Sequence, residues 1–445
     1  MIGIPSYTVL LLLFSSAVAI LVLLLFLKAG PRNPTIPRFA VSKLILISAL
    51  LLIIGPSVFY SLQHFGTFFD PDCKAYIADS NVLSLKGHIP DPKALAEDPY
   101  YAQFPIFTLI LNTLAQTTGM SSTMSLYVLN AMIQILFWLG AWCLLNVIEI
   151  NRGKMTYVSI SLIVVAYANV YLYGYFGAAL PQTLGISFLL LLLLCSLKTT
   201  TTSYVFLFIL LSVVGIVHIG VAPFLFVVML CIYLRFAWGK SDAQVETVSP
   251  RRISASSVSV VFPVFILAFY VAFTAALNSA ASYSKIIAEF IFTLQKKVIG
   301  GTAVVSPGYS RGLLAPLNAL APSFIIGSNL ALIGWHVYAN IRKQKDSLGR
   351  PYFAISLVSI AAIAIGSLRQ RFDVIGGYGS ISRYFALPGF ALGTIGTLVV
   401  LNTAVFPMIL DKSSNRAIRV FLLVLLILVI VGGILDPLAF RSSVT

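Results

Sequence analysis

Apolar runs of membrane-crossing length, set apart by short charged clusters, dominate the chain. Windows of about 19 residues predict twelve helical spans near 7–27, 44–62, 124–148, 155–175, 182–197, 204–218, 220–236, 256–278, 322–341, 352–368, 384–405 and 419–437. One more apolar stretch, Phe104 to Thr118, is only about 15 residues long. It opens at Phe104-Pro105, carries Asn112 and Gln116 and ends at Thr118-Gly119. A stretch of that length is expected to lie at the interface or re-enter rather than cross. Tyr7 to Leu27 is longer than a signal-peptide core and follows no basic segment, so it reads as a retained first helix.

Composition narrows the class. Of 445 residues, 59% are hydrophobic and 10% charged, with a mean hydropathy of +0.97. That charge density is less than half the usual share of a soluble domain, and the hydrophobicity excludes disorder. The expected fold is an all-α polytopic membrane protein of about 12 transmembrane helices, one transmembrane domain over 1–445 without a soluble domain. The four cysteines show no CxxC spacing, so they imply neither a zinc site nor a disulfide framework; Cys73 stands alone in a loop.

The formal charge of +15 would suggest nucleic-acid binding in a soluble chain, but the loops explain it otherwise. If 104–118 does not cross, one side receives Lys28–Lys43, Glu149–Lys154, Lys198–Ser203, Arg235–Arg252, Arg342–Arg350 and Asp411–Arg419, with 18 basic and 5 acidic residues. The other side holds the remaining 11 basic and 9 acidic residues. Basic residues accumulate in cytoplasmic loops, which places the N-terminus outside and requires no nucleic acid. Two large connections, 63–123 and 279–321, then lie outside.

The first outer loop is acidic. Six of the fourteen acids fall in 63–103, including Asp70-Pro71-Asp72 after Phe68-Phe69. Residues 72–86 can form a helix with Tyr76, Asp79, Val82 and Leu83 at helical spacing, which Asp70 would cap, with Asp72 in its first turn. Capping alone accounts for two aspartates around a proline. A carboxylate held among aromatics at the membrane face is also a plausible general base, and two carboxylates, with His88 nearby in sequence, can share a divalent metal ion.

Together, Asp70-Pro-Asp72, Tyr76, Gly87-His88-Ile-Pro90 and Tyr101-Ala-Gln-Phe104-Pro105 resemble the first outer loop of GT-C-type membrane glycosyltransferases. The resemblance implies a polyprenyl-phosphate-linked sugar as donor, a glycan, lipid or protein as acceptor, and Asp70 or Asp72 as base or metal ligand. It also implies that 72–86 and 104–118 are juxtamembrane helices. The family's Asp-Glu pair is replaced here by Asp-Pro-Asp.

The arginines add a second patch. Arg369, Arg371 and Arg383 bracket a Gly-rich connection containing Tyr378. Snorkelling explains one or two arginines at span ends. Three on the side that carries fewer basic residues favour a bound phosphate, which guanidinium groups grip in bidentate fashion. Arg383-Tyr384, with Pro388 beyond, resembles the late Arg-Tyr…Pro of the same family and implies proximity to the donor phosphate. Tyr76, His88, Tyr100, Tyr101, Gln182, His218, Tyr378 and Tyr384 are the expected substrate contacts, and His336 is expected to be structural. In 279–321, residues 283–299 can form an amphipathic interfacial helix. The expected protein is an inverting glycosyltransferase of the cell membrane, with its site on the outer face. A transporter or flippase of a lipid-linked or anionic substrate and an oligosaccharide polymerase or ligase are the alternatives.

Overall fold

The computed structural model describes residues 7–29, 45, 47–55, 71–87, 106–147, 155–169, 182–188, 190, 315–342, 350–370, 380–411 and 414–435. Regular structure among the described residues is helical throughout. The elements are α1 (Tyr7–Ala29), α2 (47–55), α3 (Pro71–Lys86), α4 (Ile106–Thr118), α5 (Ser122–Val147), α6 (Met155–Ala168), α7 (182–188), α8 (Ala315–Ile341), α9 (Arg350–Gln370), α10 (Ser380–Val400), a π-helical segment (Leu401–Val405), α11 (Phe406–Leu410) and α12 (Arg416–Ile434). Among the described residues, four stretches are long and apolar enough to cross a membrane: Ser122–Cys143, Pro316–Ile341, Ala386–Leu410 and Arg416–Ile434. Shorter apolar helical stretches run over Leu12–Leu27, Ser159–Ala168 and Tyr352–Ala364. The spans expected at 204–218, 220–236 and 256–278 lie outside the described residues.

Two boundaries differ from the hydropathy reading. Helix α8 starts at Ala315, seven residues before the expected 322, and runs through Pro322. Proline within a pattern usually marks a boundary, yet here the chain stays helical across it. At the far end of α10 the helix widens rather than stops. Pro407 has no N–H, and in an α-helix its ring would meet the carbonyl four residues back. The chain takes up a π turn instead, with the Phe406 N–H donating to the Leu401 carbonyl. Asn402 Nδ2 donates to Leu398 O at 2.8 Å and Thr403 Oγ1 to Val399 O at 2.7 Å. Side chains thus occupy carbonyls in the turn where the backbone ladder shifts register.

Helix α10 is the centre of the bundle: 94% of its membrane window is buried, against 28% for α12 at the periphery. In lipid there is little hydrophobic gain from pairing apolar helices, so close backbone approach and interhelical hydrogen bonds hold them together. Both are visible. Gly432 and Gly433 of α12 sit against the Leu317 carbonyl of α8 and the Tyr167 carbonyl of α6, where any Cβ would collide. On α10, Asn169 Nδ2 donates to Phe390 O (2.8 Å) and Thr394 Oγ1 (2.9 Å). Ser359 Oγ donates to Gly389 O (2.8 Å), Asn329 Nδ2 to Gly393 O (2.9 Å), and Asn402 Nδ2 to Ser161 Oγ (2.9 Å).

These contacts fix relative directions. Ser15 and Val18 meet Gly327, Leu23 meets Gly334, and Phe26 stacks near Trp335, so α1 and α8 run parallel. Gly389 meets Ala362 and Ile363, Gly393 meets Ser359, and Gly396 meets Ser356, so α9 and α10 run antiparallel in constant register. Asn169 lies beside Phe390, and Ser161 beside Asn402, so α6 opposes α10. One end of the bundle therefore gathers the ends of α6, α9 and α12 with the starts of α8 and α10. The opposite end gathers Lys28, Arg342, Arg350, Arg416 and Arg419 at helix termini.

Candidate functional site

The acidic segment folds as the helical spacing predicts, with a shifted inner face. Helix α3 spans Pro71–Lys86, proline being well suited to a first helical position. Asp72 falls in its first turn, while Asp70 lies outside the described residues. The buried positions are Cys73, Tyr76, Ser80 and Leu83; Asp79 and Val82 are half-buried on the flank. Cys73 is thus in a helix, facing inward at 2% exposure, and not alone in a loop. The face rotates because Ser80, polar but fully enclosed, lies 3.2 Å from Ser122 Oγ.

Helix α4 is the short helix expected after the loop. Its 13 residues cover roughly 20 Å, less than a hydrocarbon core of about 30 Å. Phe107, Leu111 and Ala115 form its buried face; Thr113, Gln116 and Thr117 are exposed. Asn112 is buried and accepts from Ser84 Oγ of α3. Tyr76 is 4% exposed and meets Phe107 edge-on, ring centres 5.0 Å apart. Its ring is part of the α3–α4 packing. At Gly119 the chain takes φ +69°, a left-handed turn that glycine adopts without strain. Ser121 then caps α5, its Oγ accepting from the Met124 N–H at 3.2 Å.

The arginines are placed by register. Pairs 389/363, 393/359 and 396/356 across α10 and α9 extend to 383/369. Arg369 in the last turn of α9 and Arg383 in the first turn of α10 therefore stand at one level, at the bundle end formed by the starts of α8 and α10. Tyr384 follows on α10. Arg371 and Tyr378 lie outside the described residues, as do His88, Tyr100, Tyr101 and His218. Gln182, half-buried on α7, has its Oε1 buried without a hydrogen-bond partner among the described residues. His336 stacks on Phe353 with ring centres 4.4 Å apart, within the bundle. Among the described residues, no three His, Cys, Asp or Glu side chains converge as metal ligands; Asp70 and His88 are not among them.

Sequence reasoning passed over Ser80, Asn81, Ser84 and Ser122, which join α3 to α4 and α5, and over Asn169, Asn329 and Asn402. The available signal was amide and hydroxyl residues recurring inside or beside apolar runs, where each needs a partner. Compared with known proteins, the chain matches no family model and no curated protein.

Proposed function

We propose that this chain is a membrane glycosyltransferase of about twelve spans that uses a polyprenyl-phosphate sugar on the non-cytoplasmic face. The observation that carries the reading is the common level of Arg369 and Arg383 across the α9–α10 pair. Two arginine positions at one level of adjacent helix ends suit a phosphate at the membrane boundary, since guanidinium groups bind phosphate in bidentate fashion, and Arg371 is proposed as a further ligand. The helix directions agree with the span alternation derived from charge, and the basic termini collected at the opposite end fit a cytoplasmic side.

In the proposed reaction Asp70 or Asp72 accepts the proton of an acceptor hydroxyl. The oxygen forms a bond to the anomeric carbon from the face opposite the leaving group. The anomeric carbon–phosphate oxygen bond breaks, lipid phosphate departs with the electron pair, and the anomeric centre inverts. The arginines stabilise charge growing on the phosphate. Tyr76, His88, Tyr100, Tyr101, Gln182, His218, Tyr378 and Tyr384 are the proposed contacts to sugar, carrier or acceptor, and Asp70, Asp72 and His88 the proposed ligands of any divalent metal.

A transporter or flippase of a lipid-linked or anionic substrate would carry charge within its spans. The buried polar side chains among the described residues are all uncharged, which favours chemistry at a membrane face. The test is transfer by the purified protein from a panel of polyprenyl-phosphate sugars, with and without EDTA, and with Asp70→Asn and Asp72→Asn introduced singly. Loss in one variant is expected; full transfer in both refutes the proposed base.

A further inference from the structure

We propose that Ser122, with Ser80 and Asn81, is the positioning element of the transfer site, fixing where α3 holds its carboxylates. The inference rests on the glycosyltransferase reading and adds residues to it. Ser122 stands in the first turn of α5 at 7% exposure. Its hydroxyl donates to Asn81 Oδ1 at 2.7 Å and lies 3.2 Å from Ser80 Oγ, joining positions about forty residues apart. A second tie, Ser84 to Asn112, binds the end of α3 to α4. The Tyr76–Phe107 contact holds the other end.

The composition of α3 explains why these bonds matter. Among the described residues α3 buries Cys73, Tyr76 and Leu83 as apolar side chains, with Ile77 partly buried beside them, and Ser80 occupies the middle of that face. Apolar contact is non-directional, so these side chains alone would leave α3 free to rotate or slide. Hydrogen bonds require distance and angle together. Ser122 and Asn112 belong to helices joined through the tight turn at Gly119, so α3 is fixed in height and rotation on one frame. Asp72 precedes Ser80 by two turns, roughly 12 Å along the axis. Loosening the Ser80 anchor therefore displaces the first turn, and small misplacements of a reacting group are costly in rate.

Cys73, beside Asp72 and buried, reports the docking of α3 directly. The full-length protein in nanodiscs, with Cys143, Cys195 and Cys231 replaced by Ala, leaves Cys73 as the single thiol. Its labelling by a membrane-impermeant maleimide is measured beside kcat and the donor KM. Ser122→Ala, and Asn81→Ala on the exposed flank as the milder variant, are expected to speed labelling about tenfold, the effect of losing one buried hydrogen bond. They are expected to lower kcat roughly 10- to 100-fold with the donor KM changed less than about twofold, because phosphate binding is left intact. Ser122→Thr keeps the hydroxyl and is expected to restore both. Unchanged labelling in both Ala variants overturns the anchor alone. Faster labelling with unchanged kcat overturns the positioning role. Absence of transfer in the unaltered protein across the whole donor panel overturns the parent reading and the proposal with it.

Discussion

Gly396→Ala isolates the contact that joins the central helix to α8. The Cβ it introduces would land on Asn329 Oδ1 and 2.9 Å from Ser356 Oγ, both side chains being fully buried. Asn329 is held by its own donors, 2.8 Å to Ile325 O and 2.9 Å to Gly393 O, so it cannot turn aside without losing them. Its Oδ1 has no hydrogen-bond partner among the described residues and rests against the glycine, a Cα–H contact that only a residue without Cβ permits. Loss of an interhelical hydrogen bond in a membrane costs about 0.6 kcal/mol, up to about 1.7. Overpacking adds about 1–3 kcal/mol, so the sum is roughly 2–5 kcal/mol. Gly334→Ala is the control: its Cβ meets only Leu23 side-chain carbons at 3.6 and 3.8 Å, ordinary contact, and alanine is the better helix former by up to about 1 kcal/mol. The assay is reversible unfolding of the purified protein in mixed micelles. In an Asn329→Ala background the cost of Gly396→Ala should shrink by about 1–3 kcal/mol, the coupling expected of touching residues. Equal stability of the two glycine variants, or an undiminished cost without Asn329, would mean that Gly396 and Asn329 do not touch.

Tyr76→Phe keeps the ring against Phe107 and should destabilise clearly less than Tyr76→Ala, which should cost about 3–5 kcal/mol in the same unfolding assay; equal costs for the two would mean that the ring packing against Phe107 is not what holds Tyr76. Arg369→Lys and Arg383→Lys should each raise the donor KM at least about tenfold, since lysine keeps the charge but loses the bidentate grip, and an unchanged KM in both removes the phosphate assignment. Gly433→Ala should destabilise by at least about 1–3 kcal/mol, because its Cβ meets the Tyr167 carbonyl; wild-type stability in micelle unfolding would mean that α12 does not approach α6 so closely.

What the sequence determined alone follows from interactions that are local or summed over a window. Bilayer thickness sets the length of apolar runs, so the all-helical character and the helices at 7–29, 122–147, 350–370 and 416–434 were legible within a few residues. The 72–86 helix was readable from its spacing, and the brevity of 104–118 from its length and its polar residues. Tertiary structure decided what depends on a neighbour. Ser80 became the centre of a buried face only because Ser122 meets it, so counting apolar positions put that face one residue aside. Pro322 and Pro407 mark boundaries in a local reading, but one lies inside a continuous helix and the other is accommodated by a π turn with side chains on the exposed carbonyls. The level shared by Arg369 and Arg383 follows from the α9–α10 register, which Gly389, Gly393 and Gly396 set by letting two backbones approach. Which glycines serve that purpose depends on what stands across from them, and hydropathy along a single chain carries no record of it.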